Sequence, residues 1–235
     1  MSFCSRLPIR LVSVVVTSFS VLTLTTLFTG CYSPGIYQTP QTIKRGQGTV
    51  SAAYTRSQNL KDKYGWNAID IFGRFGVADR LDMGLRAELY LHDSLDALPG
   101  KFTADIKGLL VDKRIDIALD GALSFDLIEF GFHPTLLVGN EFIYGAVFTG
   151  VVIPWPRKSP DNRFRDEPVT FGSKNARFMA GLLLGGSVGI GWFRVLPEAG
   201  AYVLANTADY VSLVPYVGLA FQFGPFGKAS ASKGD

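Results

Sequence analysis

One segment constrains this chain more than any other. In Leu81-Asp82-Met83-Gly84-Leu85-Arg86-Ala87-Glu88-Leu89-Tyr90-Leu91 every odd position is apolar, and the even positions are Asp, Gly, Arg, Glu and Tyr. Successive side chains of a strand point to opposite faces, so this segment has one oily face and one charged face. A helix cannot sort such a pattern. The alternation recurs. Ile69, Ile71, Phe75 and Val77 oppose Asp70 and Arg74. Phe102, Ala104, Ile106 and Leu110 oppose Lys101, Thr103, Asp105 and Lys107. Ile115, Ile117, Leu119, Leu123 and Phe125 oppose Asp116, Asp120, Ser124 and Asp126.

Ten strands are expected, at about 47–56, 66–77, 80–92, 100–111, 115–127, 132–139, 142–154, 175–187, 193–205 and 212–224. Many run 10–13 residues, which suits a tilted strand crossing a membrane. Long and short connections broadly alternate. Ser57–Gly65, His92–Leu98, Pro154–Lys174 and Asn206–Val211 are long, and Ala78-Asp79, Asp112-Lys113-Arg114 and Gly139-Asn140-Glu141 are short. Ile128–Gly131 breaks the rule, and the joint near Val188–Trp192 is ambiguous. Short periplasmic turns and longer external loops are the habit of outer-membrane barrels. Aromatics are expected in two belts, with Tyr54, Trp66, Trp155 and Tyr210 at the outer rim and Phe75, Phe142, Trp192 and Phe223 at the inner one.

The first 30 residues read differently. Arg6 and Arg10 precede an apolar run from Leu11 to Leu27, and Leu27-Phe28-Thr29-Gly30-Cys31 closes it. This is a secretory signal ending at a cysteine. Its end resembles a bacterial lipobox, with Phe28 where Leu is usual. The resemblance implies cleavage before Cys31, acylation of Cys31, and, with Tyr32 rather than Asp next, delivery to the outer membrane. Residues 31–46 are then expected to form a periplasmic tether, 47–224 the barrel, and 225–235 a polar tail. An uncleaved membrane helix is the alternative for the first segment.

Without the signal the chain holds 21 basic against 20 acidic residues, because the signal carries only Arg6 and Arg10 of the 23. Such a balance points away from nucleic acid. Cys4 leaves with the signal, so no disulfide or cysteine metal site is expected in the mature chain. No cofactor and no metal are expected.

Gly-Val-Ala-Asp-Arg-Leu-Asp-Met-Gly-Leu-Arg at 76–86 and the aromatic-ended last strand Val214–Phe223 resemble a small bacterial outer-membrane β-barrel. The polar tail after Gly224 departs from that pattern. The implied fold is all-β, a closed antiparallel up-and-down membrane barrel of about ten strands. In it Asp70, Arg74, Asp82, Arg86, Glu88, Asp105, Lys107, Asp116 and Asp120 line a charged, partly filled lumen. A soluble lipidated barrel is the alternative. It would put the same charges in solvent and hold a hydrophobic ligand inside. The strands from Phe132 onward are apolar on both faces, which leaves three options open: a half-apolar lumen, a partner contact, or tight packing.

Chemistry is thinly supported. His92-Asp93-Ser94 are adjacent, whereas a catalytic triad is a spatial arrangement. His133, Thr135 and distant Glu141 only faintly resemble the residues of a barrel lipid deacylase. An acyl-chain enzyme is the remote alternative to a non-enzymatic role. The basic residues Arg157, Lys158, Arg163 and Arg165 in the long 154–174 connection are candidate contacts for phosphorylated glycolipid, such as lipopolysaccharide, or for another envelope protein. The expected function is a lipid-anchored outer-membrane barrel with a structural, interaction or small-solute passage role.

Overall fold

The computed structural model describes residues 35–61, 63, 65–91, 101–125, 129–154, 176–206 and 211–225. Eleven strands follow in chain order: β1 (Gly48–Gln58), β2 (Gly65–Ala78), β3 (Leu81–Leu91), β4 (Lys101–Val111), β5 (Asp116–Phe125), β6 (Glu129–Gly139), β7 (Ile143–Pro154), β8 (Arg177–Gly186), β9 (Val188–Ile190), β10 (Phe193–Asn206) and β11 (Val211–Phe223). Each pairs antiparallel with its neighbour, and β11 returns to pair with β1. The sheet is therefore a closed up-and-down barrel.

It has ten staves, because β8 and β9 are two parts of one. Both pair with β10, and the register Glu198↔Gly185 continues without slippage into Val195↔Val188. In that register Pro197 stands opposite Gly186, and a proline has no backbone donor for the ladder. The doubtful joint near Val188–Trp192 resolves into strand as far as Ile190 and a tight turn at Gly191-Trp192. Gly191 takes φ +62° there, a left-handed value that glycine adopts without steric cost.

The barrel's shape follows from its register. The ladder runs from Gly48 through Phe75, Met83, Ile106 and Gly121, and onward round the sheet to Val203 and Leu213. It returns to β1 at Leu60, whose N–H donates to Leu213 O at 3.1 Å, twelve residues above its start. Ten staves with that stagger tilt by about 40° and enclose a backbone radius of about 10 Å. At this tilt an 11-residue strand such as β3 covers about 28 Å, close to the thickness of a bilayer's apolar layer.

Burial decides which face is inside. Asp70 and Asp82 are 0% exposed, whereas their neighbours Ile71 and Met83 are 53% and 51% exposed. Leu85, Leu89, Ile106, Leu119, Val147, Leu182 and Leu184 are likewise exposed round the outside. A contiguous apolar outer belt belongs in lipid, and a polar interior is the habit of membrane barrels. This is the opposite of the soluble alternative, whose oily face would be inside. Phe75, Phe142, Trp192 and Phe223 are exposed near the short turns, where an inner aromatic rim was expected. Trp66 differs from expectation. It shares the inward face of β2 with Ala68 and Asp70 and is buried. Trp155 and Tyr210 lie outside the described residues.

The expected tether at 31–46 also differs over its described part. Residues 35–42 are almost wholly buried, and Tyr37 is 0% exposed. This stretch, here the strap, runs up the inside of the barrel. Arg45 bridges Gly76 beside the 79–80 turn, and Ile43 N donates to Asp82 just past that turn. At its other end the carbonyls of Gly35 and Ile36 accept from Arg86, four residues further along β3, and Tyr37 reaches Thr55 in the far half of β1. Its polar, proline-containing sequence suits an extended segment, and the wall supplies the partners that water would otherwise supply.

Candidate functional site

The lumen has two unlike walls with the strap between them. The charged wall comes from β2 to β5. Asp70, Asp82, Glu88, Lys101, Lys107, Asp116 and Asp120 are buried there, with Arg74. Arg86 and Asp105 are half-buried. The nine residues singled out from the sequence as lumen-lining all fall on inward positions. The opposite wall is apolar. Leu137, Phe148, Val152, Leu183, Leu196, Tyr202 and Val214 form one buried cluster with Tyr37. Apolar residues on both faces of the later strands thus serve two surroundings, lipid outside and this cluster inside.

Arg74 organises the lower charged wall. Its guanidinium bonds Asp82, with Nε–Oδ1 at 2.9 Å, and Nη1 reaches Asp105 Oδ1 at 2.6 Å. Lys107 Nζ lies 3.4 Å from the second oxygen of Asp82. Gly84 stands across from both Arg74 and Asp105 in the ladder, and a Cβ there would overlap the Asp105 carboxylate. The wall needs a glycine at this position so that the two charges can meet.

Several wall charges read the strap, most of them through its main chain. Glu198 accepts from the backbone N–H groups of Ile36 and Tyr37 and from Tyr144 Oη at 2.7 Å. Arg86 donates to Gly35 O and Ile36 O. Lys107 donates to Thr39 O at 3.0 Å and Gln41 O at 2.7 Å. Gln38 and Gln41 donate to Asp120 and Asp116. Charge-assisted bonds of this kind are stronger than neutral ones, and each answers a group that would be costly to bury alone. A third side chain is read as well. Tyr37 stacks on Phe72 at 6.3 Å, its hydroxyl bonds Thr55 Oγ1, and Gly218 leaves the space that the ring fills.

Beside the strap lies a cavity of about 80 Å³, lined among others by Arg86, Lys101, Ser124, His133 and Met179. Ser124 Oγ and His133 Nε2 are 2.8 Å apart. Thr135 is inward and buried, but Glu141 sits in the turn after β6, at the other end of the lumen from His133. The expected trio is therefore not assembled. Cys31, His92-Asp93-Ser94 and Arg157, Lys158, Arg163 and Arg165 lie outside the described residues. Among the described residues no group of three or more His, Cys, Asp or Glu could hold a metal ion.

Sequence reasoning missed Glu198 and the strap. Glu198 had a readable signal: it is the only charged residue in the stretch 195–205, and a carboxylate there must find partners.

No family model matches the chain, and no curated protein matches it. Similar solved structures are small outer-membrane barrels. The N-terminal β-barrel domain of OprF from Pseudomonas aeruginosa is 11% identical, covering 76% of this chain and 100% of that one, with a TM-score of 0.31. The outer membrane protein OprG of the same organism is 14% identical over 79% and 99%, with a TM-score of 0.29. Ail, the attachment invasion locus protein of Yersinia pestis, is 10% identical over 76% and 99%, with a TM-score of 0.27. Scores this low add nothing to what the ladder and the burial pattern already establish.

Proposed function

We propose that this protein is a lipid-anchored barrel of the bacterial outer membrane with a structural or interaction role, and that it is closed to solutes while the strap is in place. The observation that carries this reading is the inversion of faces, apolar outward and charged inward, with the inward charges spent on the strap and on one another. Inward side chains and the strap together occupy a lumen of this radius. Acylation of Cys31 adds a second attachment to the membrane. Contacts with other envelope components fall to the connections, where Arg157, Lys158, Arg163 and Arg165 suit the phosphates of lipopolysaccharide or an acidic envelope protein. The role proposed is non-enzymatic.

The test is gel mobility, boiled and unboiled, of protein purified in detergent from separated outer-membrane fractions. A faster unboiled band that shifts on boiling is expected. Absence of the shift, together with release from the membrane when Cys31 is replaced by Ser, would favour a domain held by its lipid alone.

A further inference from the structure

The strap is bound the way a ligand is bound. It joins the barrel covalently at one end only, through Arg45-Gly46-Gln47, where Gly46 takes φ +78°. Everything else that holds it is non-covalent. Most of that recognition is of the main chain: Glu198 and Asp82 take N–H groups, and Arg86 and Lys107 each give to two carbonyls. A wall that reads peptide groups with fixed charges is a binding surface for an extended peptide, in the sense that main-chain bonds give affinity and a side-chain pocket gives register. The Tyr37 pocket, floored by Gly218, is that register point. A second wall glycine shapes the entry, since a Cβ on Gly76 would overlap the carbonyls of Ile43 and Lys44.

We propose that the lumen is a peptide-binding channel occupied in cis by residues 35–43, and that release of the strap opens a charged passage for small ions. The idea rests on the reading of the chain as a membrane-spanning barrel. With the strap out, Arg86, Lys107, Asp116, Asp120 and Glu198 lose partners and turn to water. Water entering along the charged wall then hydrates a lumen whose backbone radius is about 10 Å.

The experiment uses the mature chain with Cys31→Ser, so that no acyl group holds the cut fragment, and with a specific protease site inserted at Gly46-Gln47, reconstituted in planar bilayers. Before cutting, the barrel is expected to be closed. After cutting and perfusion, steady conductance should appear. A synthetic peptide of residues 35–45 should then lower it at least tenfold, and the same peptide with Tyr37→Ala should need about ten times the concentration. A cut barrel that stays closed, or an open one that ignores the peptide, overturns the proposal. If the inserted site prevents folding, the Gly218→Ala full chain takes its place. It should conduct intermittently, and a closed Gly218→Ala barrel overturns the proposal equally. Heat-shift mobility of the same samples separates this failure from failure of the membrane reading. In the first case the barrel is folded and inserted but silent, and in the second there is no heat-resistant barrel.

Discussion

Gly218 faces the hydroxyl of Tyr37, although the two lie at opposite ends of the chain, and a Cβ on Gly218 would overlap that hydroxyl. The same hydroxyl bonds Thr55 Oγ1, so Gly218, Thr55 and Tyr37 define one socket. Gly218→Ala should therefore act as overpacking and cost about 1–3 kcal/mol. Tyr37→Ala removes the clash together with the ring, so the double variant should lose less than the two single losses added. Urea midpoints of the unboiled, heat-modifiable form measure all three, and strict additivity would show that the socket does not couple them.

Arg74 carries more than its own contacts. It lies between Asp82 and Asp105, and removing it leaves one buried and one half-buried carboxylate with fewer counter-charges. Arg74→Ala should destabilise the barrel by about 3–5 kcal/mol, as breaking a buried pair does. Arg45→Ala, at an exposed arginine, should change the urea midpoint little. Equal effects from the two would remove the network from the account of stability.

Leu85 tests the outer belt. It is 70% exposed on the outward face near the middle of β3. Leu85→Arg should cost about 2–4 kcal/mol of folding into vesicles, the penalty for a cation facing mid-bilayer lipid. In a face bathed by water the same change would be close to neutral. Folding yields in lipid vesicles across a urea series separate the two.

Cys31→Ser should abolish labelling by radioactive fatty acid and alter the mass of the mature chain. The heat-modifiable band should nevertheless stay in the outer-membrane fraction, because the strands hold the barrel there by themselves. Retained labelling in Cys31→Ser would place the acyl group elsewhere.

The legible part of this molecule was the part with period two. From β2 to β5 the charges sit on one parity and most large apolar residues on the other, with Trp66 and Phe72 among the inward exceptions, so faces, strands and short turns follow from spacing. The later strands were harder. Leu136 and Leu137 are adjacent, one exposed to lipid and the other buried in the lumen, and composition alone does not separate those two surroundings. The break at Ser187 depends on Pro197, ten positions later in the chain, through a pairing that only the assembled ladder creates. The strap was illegible for a different reason. Ile36-Tyr37-Gln38-Thr39 has no periodicity, and what makes it internal is a set of partners spread over β1, β2, β3, β4, β5 and β10. Residue type points Trp66 to a rim, whereas its parity with Asp70 puts it inside.

The bond between Leu60 and Leu213 has a consequence for association. It completes a seam between first and last strands, so among the described strands only the three-residue β9 keeps an edge without a second neighbour, too short to template another chain. Strand addition, the commonest way for β proteins to grow or aggregate, is thereby denied to the folded molecule. Neighbours in the membrane meet it through side chains on its flanks or through the segments that join its strands, and assemblies built on it pack whole barrels side by side.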